Sequence, residues 1–399
     1  MRPSVKRRIH RLLGALVAAA LLAGSSASAP ARAADPFTID VILSLTGPFA
    51  FLGTAEGESI NTLETLINKE GGIHGQPVHF NLLDDQTQPA VGVQLANAII
   101  AKHPAVMLGP TALSTCLAIS PLMRNGPVDY CFAPTIHPAP GSYVFSGGAS
   151  SYDQAIETLV FAKAKGWKRL AEVTTADATG QDIGGQFNLA IKDPRFSGMS
   201  FVVTEHFNTG DVGVGAQLAD VKAANPDAIF GMTVGVATGT LMRGLRDAGL
   251  SNVPFMTNLG NVLNGALAQY SSFMPNEWYS TAPRFYARDV AIKGPVRDAE
   301  VAFYNAFKAK NIDPDVGNGF PWDPTLLVID GLRKLGTNTD AKSLLAYIES
   351  AHGMAGINGV MDYRGGDQRG EHITSLIIVK WDPAKKHVVP VSHPGGAPL

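Results

Sequence analysis

Residues 39–85 read IDVILSLTGPFAFLGTAEGESINTLETLINKEGGIHGQPVHFNLLDD, and the fold is decided there. The stretch opens on a short β-rich run, Ile39–Leu45. From Gly53 to Lys69, residues Ile60, Leu63, Leu66 and Ile67 recur at helical spacing. Gly71-Gly72 stops that helix. Val78, Phe80 and Leu82 then alternate with polar residues, which predicts a strand ending at Asp84-Asp85. Strand, helix and strand in immediate succession make a βαβ unit, whose helical crossover sets the two strands parallel.

Working outward, the unit repeats. Val91, Leu95, Ala98 and Ile99 form the next helix face, and Ala105–Leu108 is an apolar strand broken by Gly109-Pro110. A helix is predicted from about Ser114 to Arg124 and a strand over Val128–Ala133. The rhythm then restarts. Helices are predicted over 152–165, 180–191, 215–224 and 238–248, and strands over Arg169–Thr174, Phe201–Glu205, Ala228–Met232 and Pro254–Thr257. Alternation of this kind predicts an α/β protein with two similar, mostly parallel sheets, one before about Gly148 and one after. Ligands bind outside the carboxyl ends of such strands.

The start of the chain is read separately. Arg2, Lys6, Arg7, Arg8 and Arg11 precede an apolar core, Leu12–Leu22, and Ala31-Arg32-Ala33 offers a small-x-small cleavage signal. Residues 1–33 are therefore expected to be a cleaved signal peptide, with export to the periplasm and a mature start near Ala34. Ser25 rather than Cys follows Leu22-Ala23-Gly24, so no lipid anchor is expected. Without the leader, 26 Lys and Arg stand against 34 Asp and Glu, a net −8 that argues against a nucleic-acid partner or a basic membrane patch. No Gly-x-Gly-x-x-Gly, Walker, Gly-x-Ser-x-Gly or His-Glu-x-x-His pattern occurs, and the ten His show no metal-ligand spacing. The expectation is a protein that is no enzyme and carries neither cofactor nor metal. Cys116 and Cys131 are the only cysteines; an oxidising compartment permits a disulfide between them, and two buried free thiols is the other reading.

Several segments resemble the branched-chain amino-acid-binding family of type I periplasmic solute-binding proteins. They are Leu45-Thr46-Gly47-Pro48-Phe49-Ala50-Phe51-Leu52-Gly53; Ile67-Asn68-Lys69-Glu70-Gly71-Gly72-Ile73-His74-Gly75 with Asp84-Asp85; Gly109-Pro110 with Ala118 and Pro121; Asp177-Ala178-Thr179-Gly180; Asp247-Ala248-Gly249-Leu250 with Val253-Pro254; and Trp322-Asp323. Each is weak alone; in this order along the chain they are specific. The resemblance implies two Rossmann-like lobes with parallel sheets joined by three crossings, near Phe145–Ser150, Tyr279–Ala282 and Asn358–Asp362. Lobe one would be 35–148 with 282–358, lobe two 149–281 with 359–390, and 391–399 a loose tail. It also implies a monomeric binding component of an ABC importer, which closes on a small solute and docks on an inner-membrane permease. A sensor that delivers the closed form to a receptor has the same sequence signature.

The resemblance also nominates a site. The family's carboxylate-binding turn falls on Thr111, Leu113, Ser114 and Thr115, with Leu113 where the family carries Ser. Ser114 also reads as a helix N-cap. The loop Thr135-Ile136-His137 matches the family's Pro-x-x-Thr loop, with His137 on the Thr position. The aromatic lid falls on Leu52 beside Phe51, the second-lobe Tyr on Thr179, another pocket aromatic on Val234, and the acid that meets an ammonium near Asn258 and Leu259. Asp177 is the nearest carboxylate, and Phe49, Phe51 and Tyr279 offer flat contact. An ammonium needs an acidic or carbonyl-rich partner, because a buried unpaired charge is costly. The wall so drawn is apolar with a few hydroxyls, and suits a carboxylate on an aromatic or aliphatic body better than an amino acid.

Overall fold

The computed structural model describes residues 35–290 and 293–399. The leader expected at 1–33 and its cleavage point lie outside the described residues. Five strands, β1 (Phe37–Leu43), β2 (Val78–Asp84), β3 (Val106–Leu108), β4 (Val128–Cys131) and β5 (Val144–Ser146), form an all-parallel sheet in the order β2-β1-β3-β4-β5. Helices α1 (Ala50–Lys69), α2 (Pro89–Ile100) and α3 (Leu113–Ile119) make its first crossovers. The chain continues through α4 (Ser151–Ala164), β6 (Arg169–Thr175), α5 (Ala178–Ala190), β7 (Ser200–Phe207), α6 (Gly215–Ala224), β8 (Ala228–Met232), α7 (Val236–Asp247), β9 (Phe255–Thr257), α8 (Asn264–Tyr270) and β10 (Trp278–Pro283). Then come α9 (Pro295–Lys308), α10 (Val316–Gly319), α11 (Trp322–Leu335), α12 (Ala341–Ser350), a hairpin of β11 (His352–Gly356) and β12 (Gly359–Asp362), and β13 (Leu376–Asp382) and β14 (His387–Pro390). The second sheet runs β14-β13-β10-β9-β8-β6-β7, parallel from β7 to β10 and antiparallel at its last two strands. That is the two-sheet α/β architecture expected, with an antiparallel edge the periodicity did not announce.

Local chemistry explains the placement of α1. Asp40–Leu43 is buried without a break, as befits a strand covered on both faces. A Cβ on Gly53 would stand 2.2 Å from the Ser44 carbonyl oxygen, so glycine there lets the first turn of α1 lie on the carboxyl end of β1. The helix consequently begins at Ala50, a turn earlier than its apolar spacing placed it. It ends where Gly71 and Gly72 take positive φ and return their amides to Asn68 and Ile67. The helix expected to Arg124 breaks at Ile119 into a 3-10 turn, Ser120–Met123, because Pro121 has no amide to continue the ladder.

Three expectations are corrected or resolved. Asn358–Asp362 does not carry the chain between sheets; its residues close the β11–β12 hairpin. The segment beyond stays on the first sheet, because β5 is an edge whose free groups need partners: Ser146 N donates to Gln368 O, and Gln368 Nε2 donates to the carbonyls of Ser142 and Val144. The second sheet is entered only at Leu376, opposite Pro283. The 391–399 tail is not loose. Val391 N donates to Ile378 O, Ile378 N donates to Ser392 Oγ, and Leu399 N returns to Val391 O. Of the two cysteine readings, the bonded one holds: Cys116 and Cys131 form a disulfide with Cα atoms 6.1 Å apart.

Candidate functional site

A narrow cavity, about 30 Å³, opens where strand ends of the two sheets meet. The loop after β1 supplies Phe49 and Leu52, the turn after β3 supplies Thr111 and Leu113, and the loop after β4 supplies Ala133, Pro134 and Thr135. From the second sheet come Thr179 and Ile183 on α5, Val234 after β8, and Asn258, Leu259 and Gly260 after β9. Gln154 of α4 and Phe320, between α10 and α11, complete the wall. Among the described residues, no charged side chain is on it.

The structure thus brings Leu52, Thr111, Leu113, Thr135, Thr179, Val234 and Asn258 together on one surface. The other nominated residues are elsewhere. Phe51 is 38% exposed and off the wall, leaving Phe49 as the nearby ring on it. The Thr115 methyl carbon occupies the space a side chain on Gly92 would fill, so it packs against α2. Ser114 is partly buried, off the wall, and does not cap α3, whose N-cap is Ala112. Ile136 packs in the core with Leu113 and Cys131. His137 pairs with Asp182 through Nε2 and Oδ1, 2.6 Å apart. Asp177 is consumed as the cap of α5: it accepts from the Gly180 amide and from the hydroxyls of Thr175 and Thr209. Tyr279 packs at a tilt against Phe161 and edge-on against Trp167 in a separate core.

Sequence reasoning missed Gln154, Ile183 and Phe320 on the wall, and two groups behind it. Phe320 had a signal, since it lies beside the Trp322-Asp323 motif; Gln154 had none. Arg369 is the first group behind. It donates to the carbonyls of Pro134 (2.7 Å) and Ile136 and to Ser146 Oγ (2.9 Å), and so fixes the loop that carries Thr135. Burial pushes its guanidinium down to about 10, against the pull of Asp153, Asp367 and Asp182. Glu56 is the second. It is buried beneath Thr111, whose hydroxyl lies 2.5 Å from its Oε2. Burial raises its carboxyl to about 8; the Thr111 hydrogen bond opposes the shift and Asp85 adds to it.

On the wall itself, polar capacity is limited. Asn258 spends its amide on Thr233 O and its carbonyl on the Gly260 N–H. Thr111 Oγ1 accepts the Ser44 N–H at 3.1 Å. The remainder is aliphatic and aromatic. Such a surface holds an apolar body and turns a small set of hydroxyls toward one polar group.

Comparison with known proteins agrees with this fold. A family model described as periplasmic binding protein matches residues 36–386. A Leu/Ile/Val-binding protein of Rhizobium johnstonii is 25% identical over 386 residues, which cover 92% of this chain and 97% of that one. The crystal structure of an extracellular ligand-binding receptor from Rhodopseudomonas palustris superposes with a TM-score of 0.79 at 19% identity, over 90% of this chain and 99% of that one. An ABC-transporter solute-binding protein of Rhodopseudomonas palustris in complex with benzoate superposes with a TM-score of 0.74 at 18% identity, over 91% and 97%.

Proposed function

As the chain belongs to the periplasmic binding protein family, we propose that it captures a small solute carrying a carboxylate on an aromatic or aliphatic body and delivers it to an ABC permease. One observation carries the choice of ligand: the cavity wall holds hydroxyls, amides and apolar groups but no ionised carboxylate. A zwitterionic amino acid would bury its ammonium there without a countercharge, at a cost of several kcal/mol. A carboxylate finds its donors among hydroxyls and uncapped amides, Thr111, Thr135 and the start of α3. Phe49, Leu52, Leu113, Ile183, Val234 and Phe320 would enclose the apolar body. Binding in the cleft joins groups from both sheets, so the closed form is favoured by the ligand's contacts to both. Export through the leader and action as a monomer belong to the same reading; among the described residues, no helix is long and apolar enough to cross a membrane.

A branched-chain amino acid is the second reading, favoured by the likeness to the Leu/Ile/Val-binding relative. A thermal-shift comparison of leucine, its deaminated counterpart 4-methylpentanoate, and benzoate separates the two, because a ligand of the folded state raises the melting midpoint. The proposal expects shifts from the two simple acids and none from leucine. A larger shift from leucine overturns the ligand assignment and leaves the binding-protein class intact.

A further inference from the structure

Thr111 is the hydroxyl of the cavity wall that is also bound from behind. Its oxygen accepts the Ser44 amide and shares a short hydrogen bond with Oε2 of Glu56. Glu56 lies one helical turn beyond Leu52 on α1 and is fully buried, and its Oε1 has no hydrogen-bonding partner among the described residues. Among the described residues no cation acts on its carboxyl: Arg333 of α11 goes to Glu70 and Gly72, and Lys310 to Thr62. From the end of β2 comes Asp85, which accepts from Ser44 Oγ and Thr87 N. Asp84 beside it accepts the amides of Leu45, Thr46 and Gln86. From α10 comes Asn318, which donates to the Ala55 carbonyl on α1.

A threonine hydroxyl has one proton and two acceptor lone pairs. Here one lone pair is taken by Ser44. If Glu56 is ionised, the only proton must go to it. What Thr111 then turns to the cavity is a lone pair, backed by a buried negative charge. If Glu56 is protonated, it donates to Thr111, and the threonine proton is free to point into the cavity.

We infer that Glu56 is the specificity-determining residue of the site, admitting a carboxylate at Thr111 while it carries a proton and excluding one when it does not. The inference rests on the carboxylate reading given above. Burial and the neighbouring Asp85 hold the proton on Glu56 up to about pH 8, so the donor state is the one present at neutral pH. Glu56 touches no ligand in this scheme; it sets which way a wall residue hydrogen-bonds.

The test is calorimetric titration of benzoate and 4-methylpentanoate into the wild type and Glu56→Gln between pH 6 and pH 9. Glutamine keeps the volume and offers Thr111 an N–H at every pH. The wild type should bind the acids about tenfold more weakly at pH 9 than at pH 7, and the variant should show no such slope. Thr111→Val, a second variant, should weaken binding at pH 7 and lose the slope as well. An infrared difference spectrum of wild type minus Glu56→Gln at pH 7 should contain a protonated-carboxyl band that titrates away toward pH 9. Equal slopes in wild type and Glu56→Gln, or no such band, overturn the inference while benzoate binding keeps the carboxylate reading. If neither acid binds at any pH and leucine does, the carboxylate reading fails and takes the inference with it.

Discussion

Nε2 of His137 lies 2.6 Å from Oδ1 of Asp182, and the two residues belong to different sheets. His137 follows β4 in the first; Asp182 sits on α5 in the second, where Ser151 Oγ also donates to it. The pair joins the two sides of the cleft, so opening the cleft at this point would separate it. It is half exposed on the histidine side, so its worth is modest, below about 1 kcal/mol. His137→Ala should therefore weaken apparent ligand affinity by about twofold to fivefold without moving the melting midpoint of the ligand-free protein much. Ser151 continues to satisfy Asp182, which keeps the variant folded. Unchanged affinity by titration calorimetry would mean the pair takes no part in closure.

The disulfide joins the two loops that meet at Thr111 and Thr135. Cys116 lies in α3, a turn past Leu113, and Cys131 ends β4 just before Ala133. Their sequence separation is 15, and closing a loop of that length stabilises a fold by about 3 kcal/mol. The double variant Cys116→Ser, Cys131→Ser should unfold at lower guanidinium concentration than the wild type and bind its ligand less tightly, since both loops gain freedom. Reduction by dithiothreitol should reproduce both losses. Loss of stability with full affinity would show that β4 and α3 hold the loops unaided.

The alternation of strands and helices was legible because burial periodicity is a local property: β1 and α1 can each be recognised within a dozen residues. The wall positions Leu52, Thr111, Val234 and Asn258 were reached through the family resemblance; Leu52 lies in the first turn of α1, and the other three follow closely on β3, β8 and β9. What local pattern cannot supply is a partner brought from far along the chain. Arg369 acts on Pro134 across 235 residues, and nothing near either residue announces it. Asp177 is the opposite case. An Asp just ahead of a predicted helix is an N-cap signature, and that signature, weighed first, would have removed it from the ligand set. Edges were hidden too, because the pairing of Gln368 with β5 depends on which strand ends the sheet.

The uncharged wall makes a direct prediction. Asn258→Asp places a carboxylate where the family's ammonium partner was expected, at almost no change in shape. The aspartate still accepts from the Gly260 N–H, and Thr233 O keeps the Asn261 amide at 2.6 Å when the Asn258 donor is lost. The new charge should reduce benzoate and 4-methylpentanoate binding by about tenfold or more, and should strengthen leucine relative to both. A variant that binds all three as the wild type does would put the polar group of the ligand at another part of the cavity.

Stability should fall as pH rises, which is the reverse of the usual behaviour of paired surface carboxylates. Glu371 and Asp323 are buried together where the third crossing leaves the first sheet. Burial, with Asp323 adding, raises Glu371 to about 8, and burial raises Asp323 to about 7 against the Ile357 amide bond. Their folded values exceed their unfolded ones, so the folded chain holds protons that the unfolded chain releases. Unfolding then releases protons, and the unfolding free energy decreases with pH. The window runs from the ordinary carboxylate range up to about 8, with a slope of up to about 1.4 kcal/mol per pH unit for each such group. Thermal melts should show a higher midpoint near pH 5 than near pH 8.5. Glu371→Gln, which cannot ionise, should flatten part of that slope and be the more stable protein at pH 8.5. If its pH profile superposes on the wild type, Glu371 is ionised in the folded protein and Arg369, the cation that acts against its shift, balances its charge.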